Sequence, residues 1–281
     1  MTTQEMNLSD LENELDPNVN AQQKLAAAKA AIAGTTPLIP DAPDCIVNLP
    51  RGLYQGGVWK TEAEVRELTG SDEESLSRVK ETTDFYDLVL AHGVIRVDDL
   101  DLTTYPVAER QVFLRELLIG ERSQLLLAIL VATYGDEKVL NLTCPHCDVE
   151  QELKLLLGSD FKPKHVPDIN QATYEYVTKK KDLIEFRLVT GADQTEALKR
   201  KGSTTAEQNT LILSRCITKV NGQIVPDQMG YARKLGMKDR NALLSTMVDK
   251  QPDLDMNVQT VCMACGGDII FGLGWGDLFR P

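Results

Sequence analysis

Hydrophobic and polar positions along the chain switch period several times, and each switch marks an element. Between residues 61 and 97 the punctuation is helical. Thr61 with Glu64, and Ser71 with Glu74, fit the S/T-x-x-E capping box that satisfies orphan N–H groups at a helix start. The pattern predicts a short helix ending near Gly70, a second over about 72–80 and a third over 84–92. Gly93 is placed as the left-handed residue after the third. Val94-Ile95-Arg96-Val97 reads as a short strand. Over 105–134 the spacing predicts two helices. Pro106 opens the first, which carries a stripe of Val112, Leu114, Leu117 and Leu118, and Gly120 breaks it. The second is apolar on every side from Leu125 to Val131, the mark of a buried helix.

Beyond Tyr134-Gly135-Asp136 the period drops toward two. Val139 to Thr143 leads into a cysteine pair, and Val149, Gln151, Leu153 and Leu155 alternate away from it. Tyr174 to Thr178 and Leu183 to Val189 read as a hairpin with Lys179-Lys180-Lys181 and Asp182 at its tip. Helical pattern returns over 191–251. One helix opens at Gly191, one follows the Thr204/Glu207 capping box through Cys216, and one runs from Met237 to Lys250, stopped by Pro252. Strands then flank a second cysteine pair, at 258–261 and 269–271.

This order predicts an α+β protein. Residues 1–44 form a flexible acidic, alanine-rich arm. Five carboxylates precede the first basic residue, Lys24, and Pro37, Pro40, Pro43 and Pro50 enforce extended chain. Disorder is the plain reading of the arm, and ordering on a partner the sharper one. Residues 45–103 are a small, mainly helical module. Residues 104–281 are an α+β domain: a split zinc ribbon with a large hairpin and helical insertion at 156–257.

Composition narrows the function classes. The net charge is −12, and no basic face suits a polyphosphate; the lysine run reads as a solvated turn. The longest apolar run, Leu125 to Ala132, is short of the roughly 20 residues that span a bilayer. The N-terminus has no basic and apolar leader, which implies a reducing cytoplasm and cysteines used for metal or redox chemistry rather than disulfides.

The cysteines carry the sharpest signal. Thr143-Cys144-Pro145-His146-Cys147 and Val261-Cys262-Met263-Ala264-Cys265-Gly266-Gly267 each hold two residues between thiols, which lets a tight turn aim both sulfurs at one ion. Two such pairs make a tetrahedral S₄ set, the usual closed structural zinc site. Cys144, Cys147, Cys262 and Cys265 are therefore the expected ligands of one structural zinc per chain. The 114 residues between Cys147 and Cys262 must form an insertion whose ends return to one place. The rival is thiol oxidoreduction at Cys144 and Cys147, since Cys-Pro-His-Cys also occurs in oxidising thioredoxin-fold enzymes. The strand-like run that follows and the second pair argue against it. His146 is a solvent-facing turn residue, with a ligand role as the alternative. Cys216 is a small core residue beside Leu213 and Ile217. Cys45, His92 and His165 stand isolated, and no nucleophile–base pair emerges. A closed S₄ site has no open position for activating water.

A longer series of residues resembles one family. It begins with Gly120-Glu121-Arg122, Tyr134-Gly135-Asp136 and Cys-Pro-x-Cys, and continues with Leu188-Val189-Thr190-Gly191-Ala192-Asp193-Gln194. Thr205-Ala206-Glu207-Gln208-Asn209-Thr210-Leu211 leads to Ser214-Arg215-Cys216. The second Cys-x-x-Cys and Asp277-Leu278-Phe279 close the series. In this order they resemble the baseplate hub proteins, or hub assembly chaperones, of T-even-like phages, with relatives in other tailed phages and contractile injection systems. Glu64 to Gly70 with Glu73-Glu74 is similar to the N-terminal module of longer members. The resemblance spans roughly residues 45–281, and the acidic arm departs from it.

What the resemblance implies is a non-enzymatic tail or baseplate component, or a factor that helps assemble one. It would belong to a hetero-oligomeric assembly with other tail proteins. It would not bind nucleic acid or span a membrane. It would work in the cytoplasm of the host or producing cell during assembly, with the virion or injection particle as its further location. A zinc-ribbon nucleic-acid factor is the alternative, opposed by the charge.

Overall fold

The computed structural model of the protein describes residues 44–164, 166, 171–199 and 202–279. The acidic arm, apart from Asp44, and His165 lie outside the described residues.

The chain first builds a hairpin. Strand β1 (Cys45–Gln55) and β2 (Val58–Val65) pair antiparallel around Gly56-Gly57. Both glycines have positive φ, 62° and 84°, as a two-residue turn between twisted strands requires. Pro50 sits in a register shift between Asn48 and Leu53, where its missing N–H breaks no ladder bond. Helices α1 (Gly70–Leu76) and α2 (Thr82–Gly93) intervene before β3 (Val94–Val97) and β4 (Leu100–Asp101) complete a four-stranded sheet in the order β1-β2-β3-β4.

This corrects the expected mainly helical module at 45–103. The helix expected at Thr61 is strand β2. Ala63 and Val65 are fully buried while Glu62 faces water, so a period of two prevails over the capping pattern. Glu64 is spent across the sheet on Arg96. The cap of α1 also lies two residues earlier than expected: Asp72, not Glu74, accepts the N–H of Thr69 at 2.8 Å. Asp72 further binds Arg66 and His92, both at 2.8 Å, so His92 is partnered rather than isolated. Gly93 ends α2 inside the helix instead of following it in a left-handed turn. A Cβ there would meet the Ile129 side chain at 2.5 Å.

Helix α3 (Val107–Arg115) precedes α4 (Ile119–Tyr134), and α4 is the hub of the fold. Leu125, Leu126 and Ile129 enter the core under the sheet. Leu127 and Leu130 enter a second core with Leu155, Leu157 and Phe161, and Leu118 at the N-cap belongs to a third. Gly120 lies within α4 rather than ending α3, because the helix touches other backbone there: a Cβ would come 1.6 Å from the Pro252 carbonyl oxygen. The Glu121 carboxylate is completely buried. It accepts N–H bonds from Leu118 at 3.0 Å and from Arg51 and Gly52 at 2.6 Å each. One side chain thus caps α4 and ties it to the bulge of β1. Arg122 reaches the Leu114 carbonyl at 3.0 Å and pairs with Asp87 of α2.

After α4, β5 (Glu137–Thr143) and β6 (Glu150–Leu156) form one hairpin, followed by the short α5 (Leu157–Asp160). Near the other end of the chain β11 (Asn257–Val261) and β12 (Asp268–Gly272) form a second. They are two separate two-stranded sheets. Between them the chain builds its second four-stranded antiparallel sheet, in the order β10-β9-β8-β7. Its strands are β7 (Tyr174–Val177), β8 (Leu183–Phe186), β9 (Ile217–Val220) and β10 (Gln223–Ile224). Helices α6 (Gly191–Lys199), α7 (Thr205–Cys216), α8 (Gln228–Lys234) and α9 (Met237–Lys250) accompany it. The hairpin with the lysines at its exposed tip, the Thr204/Glu207 cap and buried Cys216 all stand where the pattern put them. Strands β9 and β10 and helix α8 were not foreseen. Helix α10 (Trp275–Phe279) brings Phe279 back against Phe85 and Tyr86, at 6.1 Å from each ring.

Asp193 organises the start of α6. Its buried carboxylate takes both guanidinium nitrogens of Arg187 (2.6 and 2.9 Å), Nε of Arg215 (2.6 Å) and the Thr190 N–H (3.1 Å). Burial acts to raise its pKa, but these donors outweigh that and hold it down at about 2.

Two outcomes follow from these contacts. Gly120→Ala must displace the Pro252 segment and is expected to cost about 2 kcal/mol or more in denaturant unfolding. Asp193, depressed from its ordinary 3.8, stabilises the fold fully above about pH 4. That stabilisation, about 2 kcal/mol, is lost as pH falls from 4 toward 2. In Asp193→Asn this acid-range loss is missing, and at pH 7 the variant is less stable by about 2–3 kcal/mol, because two half-exposed arginines lose their shared counter-charge.

Candidate metal centre

The two cysteine turns are built alike. In the first, the Cys144 N–H donates to the Val149 carbonyl and the Asp148 N–H to the Cys144 carbonyl, at 2.9 and 3.0 Å. In the second, Cys262 donates to Gly267 and Gly266 to Cys262, both at 2.9 Å. Asp148 and Gly266 occupy the same place and share a left-handed backbone, φ 57° and 71°. Each turn is closed by the hairpin that carries it, β5–β6 or β11–β12, so sulfur placement follows from strand pairing.

Tertiary structure brings all four expected residues together. Cys144 Sγ lies 3.8 Å from Cys265 Sγ, and Cys147 Sγ lies 3.7 Å from Cys262 Sγ. All four sulfurs fall within 4.8 Å of one another and form a possible metal site. A tetrahedral ion with metal–sulfur bonds of about 2.3 Å sets its ligands about 3.8 Å apart, so the spacing suits such a donor set. It is far beyond the roughly 2.05 Å of a disulfide. Cys144 and Cys262 are buried and Cys265 is exposed, with Ile269 and Phe271 packed beneath.

The electrostatics are those of crowded thiols. The N–H groups of Cys265 and Ala264 hold Cys262 down at about 6. At Cys147 the Val149 N–H pulls downward, yet burial and the other three sulfurs push the thiol up to about 12. Four thiolates at this separation repel one another unless a cation shares their charge.

Residues other than the cysteines complete the joint. Gln151, at the start of β6, accepts the Met263 N–H at 3.0 Å through Oε1, and its Nε2 reaches the Val261 carbonyl at 3.5 Å. The exposed His146 ring lies against Gly267, where a Cβ would come within 2.6 Å, and its Nε2 is 3.0 Å from the Asp268 carbonyl. His146 therefore bridges the two turns. The alternation of β6 marked Gln151 only as an inward position, and nothing local signals its partner more than a hundred residues away.

The insertion closes below the cluster. Pro163 bridges Leu254. The Lys164 N–H donates to Asp253 at 2.7 Å and the Asp255 N–H to Lys162 at 3.3 Å. The chain thus leaves and re-enters the hairpin pair side by side, as the cysteine separation demanded.

Comparison with known proteins gives one match. The family model described as T4 bacteriophage base plate protein covers residues 55–279, most of the chain. The chain belongs to that family. No curated protein and no solved structure matches it.

Proposed function

We propose that this member of the T4 bacteriophage base plate family is a non-enzymatic component of a phage tail baseplate or hub, or a factor that assembles one. In this reading it carries one structural zinc on Cys144, Cys147, Cys262 and Cys265. The family match supports the assembly role, and the four-sulfur cluster supports the metal. Hard-oxygen metals are poorly served by thiolates, whereas zinc takes four at tetrahedral spacing. Filled by four protein ligands, the ion activates no water. It joins the two hairpins across the insertion as a split zinc ribbon, and holds surfaces that contact other tail proteins.

The motif residues beyond the cysteines support a structural reading as well. Glu121, Arg122, Asp193 and Arg215 are all engaged in buried or half-buried contacts between elements rather than gathered around a cleft. Among the described residues no helix is long and apolar enough to cross a membrane. The charge of −12 speaks against a nucleic-acid partner.

Elemental analysis of chain purified under reducing conditions is expected to find one zinc per molecule. Cobalt exchanged into the site should show the thiolate charge-transfer and tetrahedral ligand-field bands of an S₄ site. Such binding is worth on the order of 10 kcal/mol in small domains. Any single cysteine-to-serine change, or a strong chelator, should therefore loosen the 137–156 and 257–273 hairpins, read by amide exchange. A metal-free chain with the same exchange pattern would sink the zinc assignment. The assembly role is checked by tracing the chain through purified particles and baseplate intermediates: absence from both is incompatible with it, and presence only in intermediates selects the assembly-factor form.

A further inference from the structure

The four sulfurs of the cysteine cluster differ in access. Cys144 and Cys262 are buried and Cys147 is half-buried. Cys265 is exposed, on the turn whose tip carries Met263, itself 93% exposed. A small electrophile arriving from solvent therefore meets Cys265 first.

Close sulfur contacts run from one hairpin to the other. Cys265 Sγ faces Cys144 of the first turn at 3.8 Å, and Cys147 Sγ faces Cys262 of the second at 3.7 Å. Closing either gap to the roughly 2.05 Å of a disulfide takes a movement of about 1.7 Å. Contacts that involve no sulfur hold the two turns against each other. Gln151 bonds the Met263 N–H and the Val261 carbonyl, and His146 reaches the Asp268 carbonyl. The turns thus stay within reach of each other when one sulfur changes its chemistry.

We propose that the cluster is a peroxide-sensitive clamp: oxidation starts at Cys265 and ends in the disulfides Cys144–Cys265 and Cys147–Cys262, which release the metal yet keep the hairpins joined. This deepens the zinc reading and rests on it only for the metal released. The oxidant is a hydroperoxide. A metal-bound sulfur is already a thiolate. The Cys265 thiolate attacks one peroxide oxygen: an S–O bond forms, the O–O bond breaks and hydroxide leaves. The sulfur has lost two electrons and is a sulfenic acid. The Cys144 thiolate then attacks that sulfur: an S–S bond forms, the S–O bond breaks and a second hydroxide leaves. Two thiolates and one peroxide become one disulfide and two hydroxides. With two of its four donors spent, the tetrahedral set is open. A second peroxide takes the half-buried Cys147 through the same step, and Cys262 resolves it.

The pairing decides the consequence. Disulfides within the turns, Cys144–Cys147 and Cys262–Cys265, would leave neither metal nor bond between the hairpins. Disulfides across the turns put a covalent link where the ion was. A chelator and a peroxide, both removing the metal, then act oppositely on the hairpins.

The test uses the full chain, purified reduced and then freed of reductant, with hydrogen peroxide as the probe. Brief exposure in the presence of dimedone is expected to label Cys265 several-fold more than any other cysteine. Longer exposure without dimedone should yield the two cross-turn disulfides in a peptide map, with zinc released in step and read by a chromogenic chelator. Dithiothreitol should return all four thiols. Amide exchange in 137–156 and 257–273 should stay within about twofold of the untreated chain, whereas chain stripped by a chelator under reducing conditions should exchange at least about tenfold faster. First labelling at another cysteine, within-turn disulfides, or free thiols under peroxide that fully oxidises glutathione would overturn the inference. So would hairpins that exchange as fast after peroxide as after the chelator. The label and the map need no metal. A chain without zinc that still forms the cross-turn disulfides refutes the zinc reading alone, and a zinc-bearing chain that forms within-turn disulfides refutes this inference alone.

Discussion

A helix that is apolar on every face has to be enclosed on every face, and α4 imposes that requirement on the rest of the chain. One side of it is covered by the N-terminal sheet and α2, another by the cysteine hairpins and α5, and its N-cap by the sheet of the insertion. No single neighbour could do this. The three cores therefore meet along one sixteen-residue helix, and the elements expected as separate modules share it. Its first turn carries the contacts that orient it. Glu121 gathers three N–H groups, one from its own helix cap and two from the distant β1 segment, and Gly120 allows the Pro252 backbone to touch the helix directly. Burying a carboxylate is costly unless it is fully hydrogen-bonded, and here two β1 amides and the helix cap supply the bonds.

The same helix explains why the insertion is tolerated. A loop of about a hundred residues adds little closure entropy beyond that of a much shorter one, provided its ends are held. They are held twice: by the short ladder joining 162–164 to 253–255, and by the cysteine turns with His146 and Gln151 across them. Between those ends the insertion has a core of its own, around Ile184, Phe186, Leu213 and Leu243.

Local pattern was readable wherever residues close in sequence settled the outcome. The α7 cap at Thr204 and Glu207, the strand at 94–97, the hairpin at 174–186 and the paired cysteine turns each depend on neighbours within a few positions. The pattern misled at 61–70. The Thr61 spacing fits a helix cap, but Glu64 is paired with Arg96 across the sheet and Ala63 and Val65 are covered by distant residues. At α1 the cap passed to Asp72 because Arg66 and His92 converge on that carboxylate.

The amino-acid sequence by itself determined the class of the longer elements beyond residue 70, though not β9, β10 or α8, and it marked the four cysteines that the fold gathers and the need for an insertion that closes on itself. These rest on periodicity, on turn chemistry and on spacing, all of which act over a few residues. It also carried enough of an ordered series of motifs to mark the family. Only the tertiary structure decided what the motif residues do: Glu121 as a bridge to β1, Asp193 as a hub for two arginines, and His146 as a strap between the turns. Apart from Arg187, six residues from Asp193, these partners lie tens to more than a hundred residues away along the chain, and a long-range contact leaves no period in the sequence from which it could be read.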